Sequence, residues 1–167
     1  MPPNAQPFER NFTPSDATVF RELIADLIGQ QCRRIDRLYG GAFSLHFGDW
    51  LPSSSAKGRD RGSWVITAWG CDARIETRGG EIVDDRIVER EEVVARARDL
   101  EGTALEQIEL DPGTITLRLR FIGGAVLDLF LDPAYNGDAW TISVPSRQTI
   151  AVTVGRRWSL EEDRRTV

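Results

Sequence analysis

Histidine and lysine are almost missing from this sequence: His46 is the only histidine, and Lys57 is the only lysine among 21 lysines and arginines. A single imidazole excludes a zinc-binding histidine pair and any hydrolase that needs two histidines. One lysine in a polar stretch argues against Schiff-base or lysine-dependent nuclease chemistry. Cysteine is scarce too. Cys32 and Cys71 form neither a disulfide framework nor a four-ligand zinc site, so they are expected to be reduced packing residues. No stretch approaches the roughly 20 apolar residues that span a bilayer. The opening Met1-Pro2-Pro3-Asn4-Ala5-Gln6-Pro7 has neither the basic nor the apolar region of a secretory signal. A cytoplasmic protein without membrane contact is therefore expected. No P-loop appears, no GxGxxG opens a helix after a strand, and no GxSxG elbow is present.

What is present is the composition of a folded domain: 167 residues, 41% hydrophobic and 28% charged. The net charge of −5 suits a basic partner and disfavours nucleic acid, whose phosphates it repels. The excess of arginine over lysine fits a GC-rich bacterial genome. Residues 1–12 are rich in proline and lack periodicity, which predicts a loose arm. Thr13-Pro14-Ser15-Asp16 reads as a helix start, with Thr13 as cap and Asp16 where a capping acid belongs. Val19, Phe20, Leu23, Ile24, Leu27 and Ile28 follow at helical spacing, and Gly29 ends the helix.

Extended segments are predicted near 31–39, 43–47, 63–69 and 72–76. A second helix is expected over 86–100, with Gly102 as its stop. Further strands are expected at 105–110, 114–122, 125–131, 139–144 and 148–154. Gly40-Gly41, Asp111-Pro112-Gly113 and Gly123-Gly124 mark hairpin turns. Residues 51–62 form a polar loop rich in serine and glycine, expected to be mobile. Residues 156–167 read as a charged tail.

Two halves of the chain look alike. Leu27-x-Gly29 followed by Ile35 matches Leu100-x-Gly102 followed by Ile108. Gly40-Gly41-Ala42 recurs as Gly123-Gly124-Ala125, and Trp64-x-Ile66 as Trp140-x-Ile142. The expected fold is α+β: antiparallel sheets from two similar helix-plus-meander halves, about 13–78 and 86–155, with two helices packed on them. The domain would span 13–155.

Candidate chemistry is thin. Ser44, His46 and Asp49 are near one another in sequence. On one strand face, however, Ser44 and His46 should stand about 7 Å apart, beyond direct hydrogen bonding. Asp84 and Asp85 with Glu89, Glu91 and Glu92 read as acids at a helix start rather than metal ligands. Asp72, Arg74 and Glu76 read as one solvated strand face. Arg33, Arg34 and Arg37 form the densest basic patch, without interleaved stacking aromatics. Trp64 and Trp140 should be core residues. No catalytic residue, metal ligand or cofactor is assigned. Asp49 and Trp50, at the mouth of the polar loop, are the candidate partner-binding pair: an aromatic anchor beside a charge for a cationic partner.

Leu45-His46-Phe47-Gly48, Trp64-x-Ile66, Leu127-Asp128-Leu129-Phe130 and Trp140-x-Ile142 together resemble small, uncharacterised bacterial proteins that pair an LxFG strand with a tryptophan strand and then repeat the unit. The resemblance covers about residues 26–145 and implies no catalytic residue. Some proteins of this kind look like immunity proteins of bacterial toxin systems. It implies a non-enzymatic binding protein, with a basic toxin domain as partner. The alternatives are a small-molecule-binding or enzymatic domain with a site between the halves, and an oligomeric structural module.

Overall fold

A computed structural model describes residues 6–53, 56–153 and 155–162. The chain forms β1 (Phe8–Asn11), α1 (Asp16–Ile24), β2 (Cys32–Arg37), β3 (Phe43–Leu51), β4 (Arg61–Ala68), β5 (Cys71–Glu76), β6 (Ile82–Asp84), α2 (Arg90–Ala97), β7 (Leu105–Leu110), β8 (Leu117–Phe121), β9 (Val126–Leu131), β10 (Asp138–Val144), β11 (Gln148–Thr153) and β12 (Arg157–Glu162). It is an α+β fold of two antiparallel sheets. The large one has seven strands in the order β1-β12-β11-β10-β4-β3-β2, and the small one five in the order β6-β5-β9-β8-β7. Among the described residues, no helix is long and apolar enough to cross a membrane.

Cross-strand register explains why the sheets share one core. In the large sheet a single apolar row runs Ile35, Leu45, Ile66, Ile142, Ile150, Leu160, Phe8 across all its strands. The small sheet answers with Val83, Ile75, Leu127, Leu119 and Ile108. Period-two alternation sends these side chains inward, where they join one buried cluster with Phe20 and Leu23 of α1 and Val93 and Val94 of α2. Trp64 and Trp140 are both buried, as expected. They stand on adjacent strands, with Ile66 opposite Ile142.

The sheets also meet at an edge. Gly29 N–H donates to the Leu105 carbonyl at 2.7 Å, and Gly102 N–H donates to the Cys32 carbonyl at 2.7 Å. Both glycines have positive φ, +85° and +87°, which lets each helix stop and turn directly into a strand. The helices thus end as their glycines predict, with short 3-10 turns at Ala25–Leu27 and Arg98–Leu100 before each stop.

Four boundaries differ from the sequence reading. The expected loose arm contains β1, and the expected charged tail contains β12, which pairs with both β1 and β11. Trp158 and Leu160 alternate inward there, and Phe8 and Phe12 pack edge-on against Trp158 at 4.6 and 5.3 Å. The second helix begins at Arg90 rather than Arg86, because the Asp84 carbonyl accepts the Ile87 and Val88 N–H groups in a preceding turn. The strand expected from Thr114 starts at Leu117, since Ile115 holds φ +57° in the turn before it. At the first helix, Thr13 does not cap with its hydroxyl. Instead the Asp16 carboxylate accepts the Thr13 N–H at 2.8 Å, the reciprocal half of a capping box.

Candidate functional site

The outer faces of the two sheets carry different chemistry. Across the small sheet the register lines up Asp84, Arg74, Asp128, Arg118 and Glu109, alternating in charge from strand to strand. Asp128 is fully buried and takes a bidentate pair from Arg118 at 2.7 and 3.0 Å, with Arg74 at 3.4 Å. Arg86 pairs with Asp84 at 2.6 Å. Its central charges are paired in this way, while Asp72 on the same face has no ion pair among the described residues. The expected solvated face of Asp72, Arg74 and Glu76 belongs to it and is half-buried.

The large sheet is different. One outward row runs Asp36, Ser44, Thr67, Thr141, Ala151, Ser159, Glu9, and the next runs Arg34, His46, Val65, Ser143, Thr149, Glu161. Charge stands only at the borders, and the interior is a floor of small, mostly hydroxylated side chains. Above it lies a groove of about 690 Å³. The small sheet's outer face has a depression of about 810 Å³, so volume does not distinguish the two. Composition does: hydroxyls floor the large sheet's groove, and charged side chains line the other.

At the basic border sits the cluster around His46. Its Nδ1 accepts the Gly62 backbone N–H at 3.1 Å, which places the ring proton on Nε2. Both the Ser44 hydroxyl, at 3.0 Å, and the Asp36 carboxylate, at 3.2 Å, lie on that same Nε2. The expectation that Ser44 and His46 stand out of reach is therefore wrong. The 7 Å spacing of strand geometry separates their backbones, and the imidazole leans along the strand to close it. A serine relay needs its hydroxyl on a bare nitrogen and its carboxylate on the other. Here both share the protonated nitrogen, an arrangement that orients the ring rather than activating Ser44. Burial, with the nearby Arg34 guanidinium, pushes the His46 pKa below its ordinary value against the opposing pull of Asp36.

Trp50 packs beside this cluster. The register of β3 and β4 shifts between Phe47 and Trp50, with Gly48 at φ +75°. The bulge brings the Trp50 ring 6.1 Å from His46, with the Arg34 guanidinium 4.7 Å and the Arg33 guanidinium 5.7 Å from its centroid. Trp50 is 39% exposed. Asp49 beside it is exposed and has no ion pair among the described residues. The expected loop narrows to residues 52–60, because β3 runs to Leu51 and β4 starts at Arg61; Ser54 and Ser55 lie outside the described residues.

The basic patch comes apart. Arg33 donates to the Gly48 carbonyl, Arg34 holds Asp36 and the Asp60 carbonyl, and Arg37 pairs with Glu91. Asp84 ends β6, and Asp85 is tied to Arg90 at 2.6 Å and to the Ala73 N–H at 2.9 Å. The acids in the first turn of α2 are Glu91 and Glu92. Among the described residues no group of three or more histidine, cysteine or acidic side chains gathers in a metal-binding arrangement. Cys32 and Cys71 are free and buried, and burial pushes both thiols up to about 12.

The groove itself escaped the sequence reading. Its signal was available: serine or threonine at outward positions of five strands, where isolated solvent-facing positions usually carry charge. No protein-family model matches the chain, and no curated protein or solved structure is significantly similar to it.

Proposed function

We propose that this chain is a non-enzymatic cytoplasmic binding protein, acting as an immunity protein does by occupying a basic toxin domain. The observation that carries the reading is the outer face of the large sheet. A groove with a hydroxylated floor is open there, and the half-exposed Trp50 stands beside two of its lining residues, His46 and Arg34. Trp50, with two guanidiniums against its ring, is pre-oriented to serve as an anchor at small entropic cost. Asp49 supplies charge for a cationic partner, and the net charge of −5 steers such a partner inward. The arrangement around His46 fits a structural imidazole and leaves Ser44 without a base.

Co-purification of partners followed by calorimetry on the identified complex tests this. Trp50→Ala and Asp49→Lys are each expected to weaken binding about tenfold or more, with little change in melting temperature. Unchanged affinity removes Asp49 and Trp50 from the interface, and a collapsed melting temperature places Trp50 in the core. A small polar molecule in the same groove is the second reading, favoured by a volume within the range of ligand sites. Saturable binding of a metabolite that survives Trp50→Ala would select it.

We also read the two halves as products of duplication. In support, the order β11-β10-β4-β3-β2 maps onto β6-β5-β9-β8-β7 when each half's strands exchange places. The Gly29 and Gly102 hydrogen bonds are reciprocal, each three residues from its partner's acceptor. Under this mapping Leu27-x-Gly29 and Leu100-x-Gly102 correspond, and the tryptophan and Gly-Gly matches do not.

A further inference from the structure

We propose that the outer edge of β7 docks an extended segment of a protein partner that carries lysine or arginine, adding it to the small sheet as a further strand. This surface goes beyond the groove and stands without it, since no residue of β7 lines the groove. β2 and β7 each end a sheet, and they leave their helices along the same backbone path. Cys32 N–H donates to the Thr103 carbonyl at 2.8 Å, and Leu105 N–H donates to the Gln30 carbonyl at 2.9 Å. Both strands then shift register, one between Cys32 and Arg34 and the other between Leu105 and Gln107. After the shift Ile35 faces Leu45, and Ile108 faces Leu119. The two paths therefore turn matching backbone groups to the outer edge, those of Ile35 and of Ile108.

What meets those groups differs. Ile35 N–H donates to the Glu101 carboxylate at 2.9 Å, and Arg37 further along pairs with Glu91 of α2. The β2 edge is capped. At the end of the first helix the residue in the place of Glu101 is Ile28. Each closes a 3-10 turn with nearly the same backbone, φ −57° and ψ 131° for Glu101, φ −61° and ψ 131° for Ile28. Isoleucine accepts no hydrogen bond, and no side chain among the described residues accepts the Ile108 N–H. Ile28 itself is 39% exposed. From Ile108 to Leu110 the strand edge is open, with an apolar side chain where the other edge has its carboxylate.

Charge selects the occupant. Glu106 and Glu109 are exposed, and β7 contains no basic residue. A second copy of the chain would bring both acids of each strand to one ladder, which like charge opposes. A basic extended segment meets them instead. Its carbonyl supplies the acceptor that the Ile108 N–H lacks, and its apolar side chains can cover Ile28.

Two measurements on the full chain test this. In native-state hydrogen exchange, corrected for intrinsic rates, the Ile108 amide should exchange about tenfold or more faster than the Ile35 amide. Ile28→Glu should slow exchange at Ile108, and Glu101→Ile should speed it at Ile35. Equal protection of the two amides in the wild-type chain would mean a closed edge and overturn the proposal. The second measurement is chemical-shift titration with a short blocked peptide of alternating lysine and valine. Saturable shifts are expected at Ile28, Ile108 and Leu110. Ile28→Glu should weaken binding about tenfold although it adds a negative charge. The same peptide N-methylated along its backbone keeps its charge and should not bind. Binding that survives methylation would reduce the contact to charge alone, and an absence of shifts at β7 would leave no docking edge; either overturns the proposal. Shifts at Ile108 that grow with protein concentration before peptide is added would assign the edge to a second copy and overturn it equally.

Discussion

His46 keeps its proton on Nε2 and is buried among Arg34, Asp36, Ser44 and the Gly62 N–H. Its folded pKa lies below the unfolded reference of 6.5, so the unfolded chain takes up a proton first as pH falls. The neutral ring's contribution is present above that value and is lost as pH drops through and below it. Melting temperature should therefore decline from about pH 7 to pH 5.5, and His46→Gln should flatten that slope. A slope unchanged by the substitution would mean another group titrates. Asp128 offers a test on the other sheet. Its carboxylate is 1% exposed, while Arg118 and Arg74 are 41% and 24% exposed and can regain some water. Asp128→Ala should cost about 3 kcal/mol in urea unfolding, the lower end for breaking a buried pair. Gly62 is constrained by backbone: a Cβ there would stand 2.5 Å from the Phe47 carbonyl oxygen and 2.7 Å from its nitrogen. At Gly70 the clash is with the Tyr135 ring, which is 42% exposed and free to swing away. Gly62→Ala should cost about 2 kcal/mol or more by thermal melting, and Gly70→Ala much less.

Strands β1 and β12 complete the large sheet, and Trp158 is their main buried contribution. Trp158→Ala should cost about 3–5 kcal/mol in chemical denaturation. A cost under about 1 kcal/mol would mean that the two strands dock without supporting the core. Their absence from the sequence reading has a physical cause. In Arg157-Trp158-Ser159-Leu160-Glu161 the inward residues do alternate, but the outward Arg157 and Glu161, the preceding Arg156 and the following Glu162 and Asp163 resemble a solvated tail. At the other end Phe8 and Phe12 sit among prolines and polar residues, and only pairing with a distant strand gives them a face to bury. Elements whose own residues carry the pattern were legible: β7 was delimited residue for residue, and both helix stops fell at their glycines. Ile82-Val83-Asp84 is too short to announce a strand without its partner β5. The groove was illegible for a related reason, since its floor draws single hydroxyls from several strands and exists only once their order is known.

At the scale of the whole molecule, two sheets share a core and differ in what they present outward. The small sheet pairs Asp128 with Arg118 and Arg74, and Asp84 with Arg86. The large sheet presents a floor of hydroxylated side chains beneath a groove of about 690 Å³. The central claim is that this second face is where the protein binds. Amide and indole chemical-shift mapping of the isotopically labelled chain during titration with hexa-arginine tests it most directly. The account predicts saturable shifts at Thr67, Trp69, Asp138, Thr141 and Ser143, with Arg74, Arg118 and Asp128 unmoved. Shifts centred on Arg74, Arg118 and Asp128, or spread evenly over exposed acids on both sheets, would contradict it.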